Sequence, residues 1–208
     1  MTQTRSSDKA PISGATIAHL QTWVGKTQTL HDRVSAREVA GLAATLDRAD
    51  APPETGTVLP PLWHWMYFAP VARQSELGPD GHPERGHFLP PVPLPRRMWA
   101  GSRLHWNAAN SLRVGEEITL HSRIAAVEHK AGRSGDLVFV QVQHECGNAS
   151  GWAVREAQDL VYRAAAEPGA PAPQPKAAET QAPWQRQITP DPVLLFRYSA
   201  LTFNSHRI

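Results

Sequence analysis

The most regular hydrophobic periodicity in the chain follows Ser35. In "SAREVAGLAATLDRAD", Val39, Leu42, Ala43 and Leu46 recur at i, i+3, i+4 and i+7, the spacing of one face of an α-helix. Ser35 stands at the N-cap position, and Glu38 three residues on completes a capping-box pattern. "ATIAHLQTWV", from Ala15 to Val24, is a shorter helix candidate, and "KTQTLHDRV" after it reads as extended. The second half changes period. In "EEITLHSRIAAVEHK", Ile118, Leu120, Ser122, Ile124 and Ala126 share one face, with Thr119, His121 and Arg123 opposite. "RLHWNA" is a short strand candidate. "LVFVQVQHE" and "WAVREAQDLVYRA" are longer ones, and "AGRSGD" and "CGNASG" are turns. Three consecutive strands joined this way make an antiparallel meander able to wrap the helix after Ser35.

Other stretches interrupt the pattern. "LWHWMYFAPVA" is densely apolar and reads as a short second helix or a turn plugged into the core. Its aromatic residues Trp63, Trp65, Tyr67 and Phe68 suit a core better than a ligand box, with His64 a satisfied histidine among them. "SELGPDGHPERGHFLPPVPLPRRMWAG" is loop-like, and a loop this long in a compact domain is commonly functional. The division that results is a disordered N-terminus at 1–14, an α+β domain at 15–164, a Pro/Ala-rich linker at 165–183, and the first elements of a second unit at 184–208. That last stretch, "WQRQITPDPVLLFRYSALTFNSHRI", has a strand-like start and a Pro-punctuated lead into an apolar segment.

Composition narrows the function. The chain is 41% hydrophobic and 19% charged, an ordinary globular balance, and its net charge is only +2. No run of Lys and Arg forms a nucleic-acid stripe, so an anionic small ligand suits the charge at least as well as a polymer. The lone cysteine, Cys146, has no partner within the chain, which favours a reducing compartment. "MTQTRSSDKAPISG" has no apolar core of a signal peptide, and no apolar run approaches a membrane span, so a cytoplasmic chain without membrane contact is expected. Cys146 and His144 fall on one face of a strand, but no orienting third group is evident, so an inert buried thiol is favoured over a nucleophile. His82, Glu84 and His87 match no strong zinc spacing, and no metal is expected. His105, His121, His129 and His144 read as sheet-surface residues. No phosphate-binding Gly-rich loop and no nucleophile elbow is present.

The stretches "LPPLWHWMYF", "GHFLPPVPLPRRMWAG", "VGEEITLHSRI" and "LVYR", then the Pro-rich linker and "LFRYSALTFNSHRI", resemble MaoC-like double-hot-dog hydratases of the 3-methylfumaryl-CoA (mesaconyl-C4-CoA) hydratase and 3-hydroxyacyl-thioester dehydratase type. The resemblance implies a hot-dog fold, an antiparallel sheet wrapped round a central helix, with the start of a second hot dog. It implies hydration of an enoyl-CoA or dehydration of a 3-hydroxyacyl-CoA. No cofactor is implied beyond the CoA of the substrate, and a homodimer or pairing with another hot-dog chain is expected. A non-catalytic acyl-CoA-binding or pairing module and a hot-dog thioesterase are the alternatives.

In that superfamily the catalytic segment reads Asp-x-Asn-Pro-x-His. Aligned on its final His, Asn204 takes the place of the Asp and His206 that of the Asn. The general base is then expected one residue beyond Ile208, in a longer protein. Asn204 and His206 are the catalytic candidates; their competing role is to cap a following helix. Arg207 suits a CoA phosphate or a free acyl carboxylate, or is a solvated surface arginine. Arg96 and Arg97 read as an anion clamp at the mouth of an acyl tunnel with Trp99 as its apolar wall, against loop arginines stacked on Trp99 or Trp106.

Overall fold

The computed structural model describes residues 11–132, 135–165, 174–175, 177–178 and 180–205. The alternating segments form the expected meander: β3 (Glu117–Gly132), β4 (Gly135–Asn148) and β5 (Gly151–Arg163). The extended segment after the first helix is β1 (Thr27–Arg33), which pairs with β3, and β2 (Arg96–Trp106) pairs with β5. The result is one five-stranded antiparallel sheet in the order β1-β3-β4-β5-β2. Strand β2 begins at Arg96, inside the segment expected to be loop, because its backbone from Arg96 onward continues the ladder opposite Arg163.

Two apolar clusters lie on the sheet's inner face. Helix α2 (Ala36–Thr45) buries Val39, Leu42 and Ala43 against Ile118, Cys146 and Val154, with Trp63, Met66 and Tyr67 closing the same cluster. The other half of the sheet, with Ile124, Val138, Val140, Val142 and Tyr162, is covered by Leu20 of α1 (Gly14–Gln21) and by Val92 and Leu94 of the Pro-rich loop. A sheet folded over α2 in this way is the hot-dog arrangement. "WHWM" forms a short 3-10 turn (Trp63–Met66) rather than a helix. No described helix is long and apolar enough to cross a membrane.

Three local expectations are corrected. Ser35 has an extended backbone but its side chain makes no cap bond, so the capping box does not form. Glu38 lies instead beside Tyr67 and Asp32, where burial and the Asp32 charge raise its pKa. Ala126 does not share a face with Ile124. The register of β3 on β4 slips between them, a bulge that turns Ala126 outward and brings Val127 into the core at 4% exposure. Val127→Ala should therefore lower stability by about 2 kcal/mol and Ala126→Ser by less than about 0.5 kcal/mol, read from urea unfolding midpoints. Equal effects would remove the bulge from the account. Finally, no strand starts the segment after the linker; residues 192–201 are helical.

Candidate active site

That helix, α3 (Pro192–Leu201), is set by its N-cap, Asp191, and its first residue, Pro192. Asp191 Oδ1 accepts from the N–H groups of Val193 (2.7 Å) and Leu194 (3.1 Å), and Pro192 follows at the position where its missing N–H costs nothing. Leu201 packs against α2 at Gly41, where an added Cβ would meet its Cδ2 at 3.1 Å. The helix stops in a left-handed residue, Phe203 (φ 48), after which the Asn204 N–H returns to the Ser199 carbonyl (2.8 Å) and the Ser205 hydroxyl donates to the Gly81 carbonyl. This turn carries the segment singled out in the sequence onto the Pro/Gly loop.

Between them is a cleft of about 550 Å³ lined by Leu77, His82, Pro83, Phe196, Phe203, Asn204 and their neighbours. It is mostly apolar with a few convergent polar groups, the usual composition of a small-molecule site. Asn204 thus lines a cleft with His82. In the sequence His82 reads only as a candidate metal ligand, and nothing local to it signals the cleft, because the pairing joins distant parts of the chain. His206 and Arg207 lie outside the described residues.

The loop side of the cleft is held by charge. Asp80 accepts from the His82 N–H (3.1 Å) and lies 3.7 Å from Arg85. Burial alone would raise the Asp80 pKa, but that hydrogen bond and the charges of Arg97, His82 and Arg85 outweigh it and hold it low. Arg85 also donates to the carbonyls of Val92, Leu94 and Pro95, pinning the proline stretch. Arg97 is half-buried beside Asp80 and Tyr162, whereas Arg96 is exposed. Among the described residues neither stacks on Trp99 or Trp106.

A polar seam crosses the inner face of the sheet between the two apolar clusters. The register places Gln28, Ser122, His144 and Glu156 side by side on four strands. The Ser122 hydroxyl lies 2.7 Å from His144 Nδ1. Glu156, 7% exposed, accepts from the Trp65 indole N–H (3.0 Å) and from the Ser102 hydroxyl, which in turn accepts from the Trp99 indole N–H (3.0 Å). Burial pushes the His64 imidazole down to about 4, against the attraction of Glu156, and lowers His144 for the same reason. His144 therefore faces inward, not onto the sheet surface. Of the other three histidines, His105 and His121 are exposed and His129 pairs with Asp136 at 2.6 Å. Burial pushes the Cys146 thiol up to about 12, which leaves it a packing group. The available signal for the seam was Glu156 and Gln158, polar at inward positions of "WAVREAQDLVYR".

Residues 62–208 match the hydroxyacyl-thioester dehydratase type 2 family, and the chain belongs to that family. It is 44% identical over 189 residues to the mesaconyl-C(4)-CoA hydratase of Chloroflexus aurantiacus, which covers 89% of this chain and 66% of that relative. The chain thus spans about two thirds of the relative's length. Among solved structures it is similar to HtdX of Mycobacterium tuberculosis, at a TM-score of 0.50 and 12% identity, over 86% of this chain and 61% of that one. It is also similar to a MaoC-like dehydratase of Rhodospirillum rubrum, at a TM-score of 0.40 and 19% identity, over 69% and 94% of the two chains.

Proposed function

We propose that this chain is the acyl-binding hot dog and the opening of the catalytic unit of a carbon–oxygen lyase, which adds water to the double bond of a short enoyl-CoA. The observation that carries the proposal is the position of Asn204, at the end of α3, in a largely apolar cleft. The relative from Chloroflexus supports an acyl group of the mesaconyl type. In this reading residues 15–164 supply the fold, 165–183 the linker, and the unit from residue 184 the chemistry. Hydration needs a base to take a proton from water as its oxygen attacks C3. An acid then delivers a proton to C2 while the thioester oxygen gains enolate charge. An imidazole suits the base step, because its pKa lies near neutrality. Asn204 has no basic lone pair at neutral pH and orients water or an imidazole by hydrogen bonding. His206 supports the proton transfer and Arg207 meets a phosphate or a free acyl carboxylate. CoA enters only as part of the substrate.

The test follows the loss of enoyl absorbance with mesaconyl-type and crotonyl thioesters of CoA, in this chain and in a form extended beyond Ile208. The extended form should turn over, and Asn204→Ala should lower its kcat/KM by about 10- to 100-fold through mispositioning. Release of free thiol instead of water addition would replace the hydratase with a thioesterase. A second reading, a non-catalytic pairing module, is favoured by the outer edge of β2, which has no strand partner among the described residues and where Met98, Trp99 and Trp106 are 44–60% exposed. Acyl-CoA binding without turnover in the extended form would establish it.

A further inference from the structure

Trp65 and Trp99 are tethered in an unusual way. Each commits its only polar atom inward, and both tethers end on one buried carboxylate. The Trp65 N–H reaches Glu156 Oε2 directly, and the Trp99 N–H reaches Oε1 through the Ser102 hydroxyl. Yet the rings stay in solvent, 40% exposed at Trp65 and 60% at Trp99. Burying a carboxylate and exposing two indoles are both unfavourable for folding alone. Together they fix the orientation of two flat apolar surfaces.

The backbone takes part as well. Residues three apart on a regular strand face opposite sides. The register of β2 on β5 slips between Trp99 and Gly101, and this bulge puts Trp99 and Ser102 on the same side. Arg97 precedes Trp99 on that inner face, opposite Tyr162 as Trp99 is opposite Leu160. Asp80 faces both Arg85, at 3.7 Å, and Arg97, the residue two positions before Trp99 in the same strand.

We propose that Trp65 and Trp99 form a clamp for the purine ring of the coenzyme A nucleotide, with Arg97 facing its phosphates and Glu156 as the positioning residue. The proposal rests on the CoA-thioester reading above. Flat apolar faces suit a purine, and adjacent positive charge suits the phosphate joined to it. The exposure of the rings assigns them to the outer end of the ligand, since a pocket for the reacting enoyl group would exclude water.

Adenosine 3′,5′-bisphosphate and a pantetheine thioester separate the two ends of the ligand. Calorimetry with the wild-type protein should give binding of the bisphosphate. Trp99→Ala and Trp65→Ala should weaken it by about 10- to 100-fold, the range of one base–aromatic stack, and leave the pantetheine thioester unchanged. Glu156→Gln should weaken the bisphosphate alone, a selectivity that a general loss of structure would not give. Unchanged bisphosphate affinity in Trp99→Ala, or equal loss for both ligands, would overturn the clamp. Tryptophan-dependent bisphosphate binding without any enoyl hydration by the form extended beyond Ile208 would keep the clamp and remove the hydratase. Hydration of both thioesters without bisphosphate binding would do the reverse.

Discussion

Acidification from pH 6.5 to pH 4 should remove about 3 kcal/mol of folding stability through His64 alone. The imidazole is 6% exposed in the native protein and burial holds its pKa at about 4, whereas in the unfolded chain it titrates near 6.5. Between those values the unfolded state binds the extra proton and the native state does not, so stability rises with pH across that window. Above pH 6.5 the contribution is constant, and below pH 4 no more is lost. His144, lowered by burial too, acts with the same sign. The low pKa values of Asp80, Asp136 and Asp159 extend the loss to more acidic solution, because those carboxylates favour the native state only while ionised. Urea unfolding at a series of pH values measures this. His64→Asn should flatten the slope between pH 4 and 6.5, whatever it does to stability at pH 7. An unchanged slope would show that another group titrates.

Gly147→Ala should destabilise by about 2–4 kcal/mol, in the upper range for overpacking and backbone strain. Its backbone is not left-handed; the demand is for space. A Cβ there would lie 2.4 Å from the Gly151 carbonyl oxygen and 3.1 Å from Trp152 Cα, and both are backbone atoms of the paired strand. The register of β4 on β5 slips at this point, between Cys146 and Gly147, and the ladder closes on the absent side chain. Relief requires β5 to move, and β5 carries Val154 and Glu156. The urea midpoint should fall with little change in m. Gly14→Ala, where an added Cβ meets nothing within 4 Å, is the control and should stay within about 0.5 kcal/mol. A loss at Gly147 no larger than at Gly14 would mean that the turn yields freely.

The parts of the fold that sequence predicts well are those with an uninterrupted period. The apolar face of α2 and the meander both follow from residues whose burial repeats every 3.6 or 2 positions. The bulges at Ala100 and Ala125 do not, because an extra residue is set by the curvature of the paired strands and not by the local pattern. At α3 the Pro-punctuated lead is a helix start, with Pro192 in the first helical position behind the Asp191 cap. At the site, Asn204 was reached by resemblance. His82 was not, because the Pro/Gly loop delivers it from far away in the chain. Glu156 and His144 left a trace, polar residues on an otherwise apolar alternation, whose meaning needed the neighbouring strands.

The one sulfhydryl sits under the sheet at 2% exposure. A thiol reagent can reach it only in molecules that have opened, and no second site competes for the label. Modification rate under native conditions is then a clock for how often the inner face of the sheet is uncovered, and ligands that close the molecule will slow it.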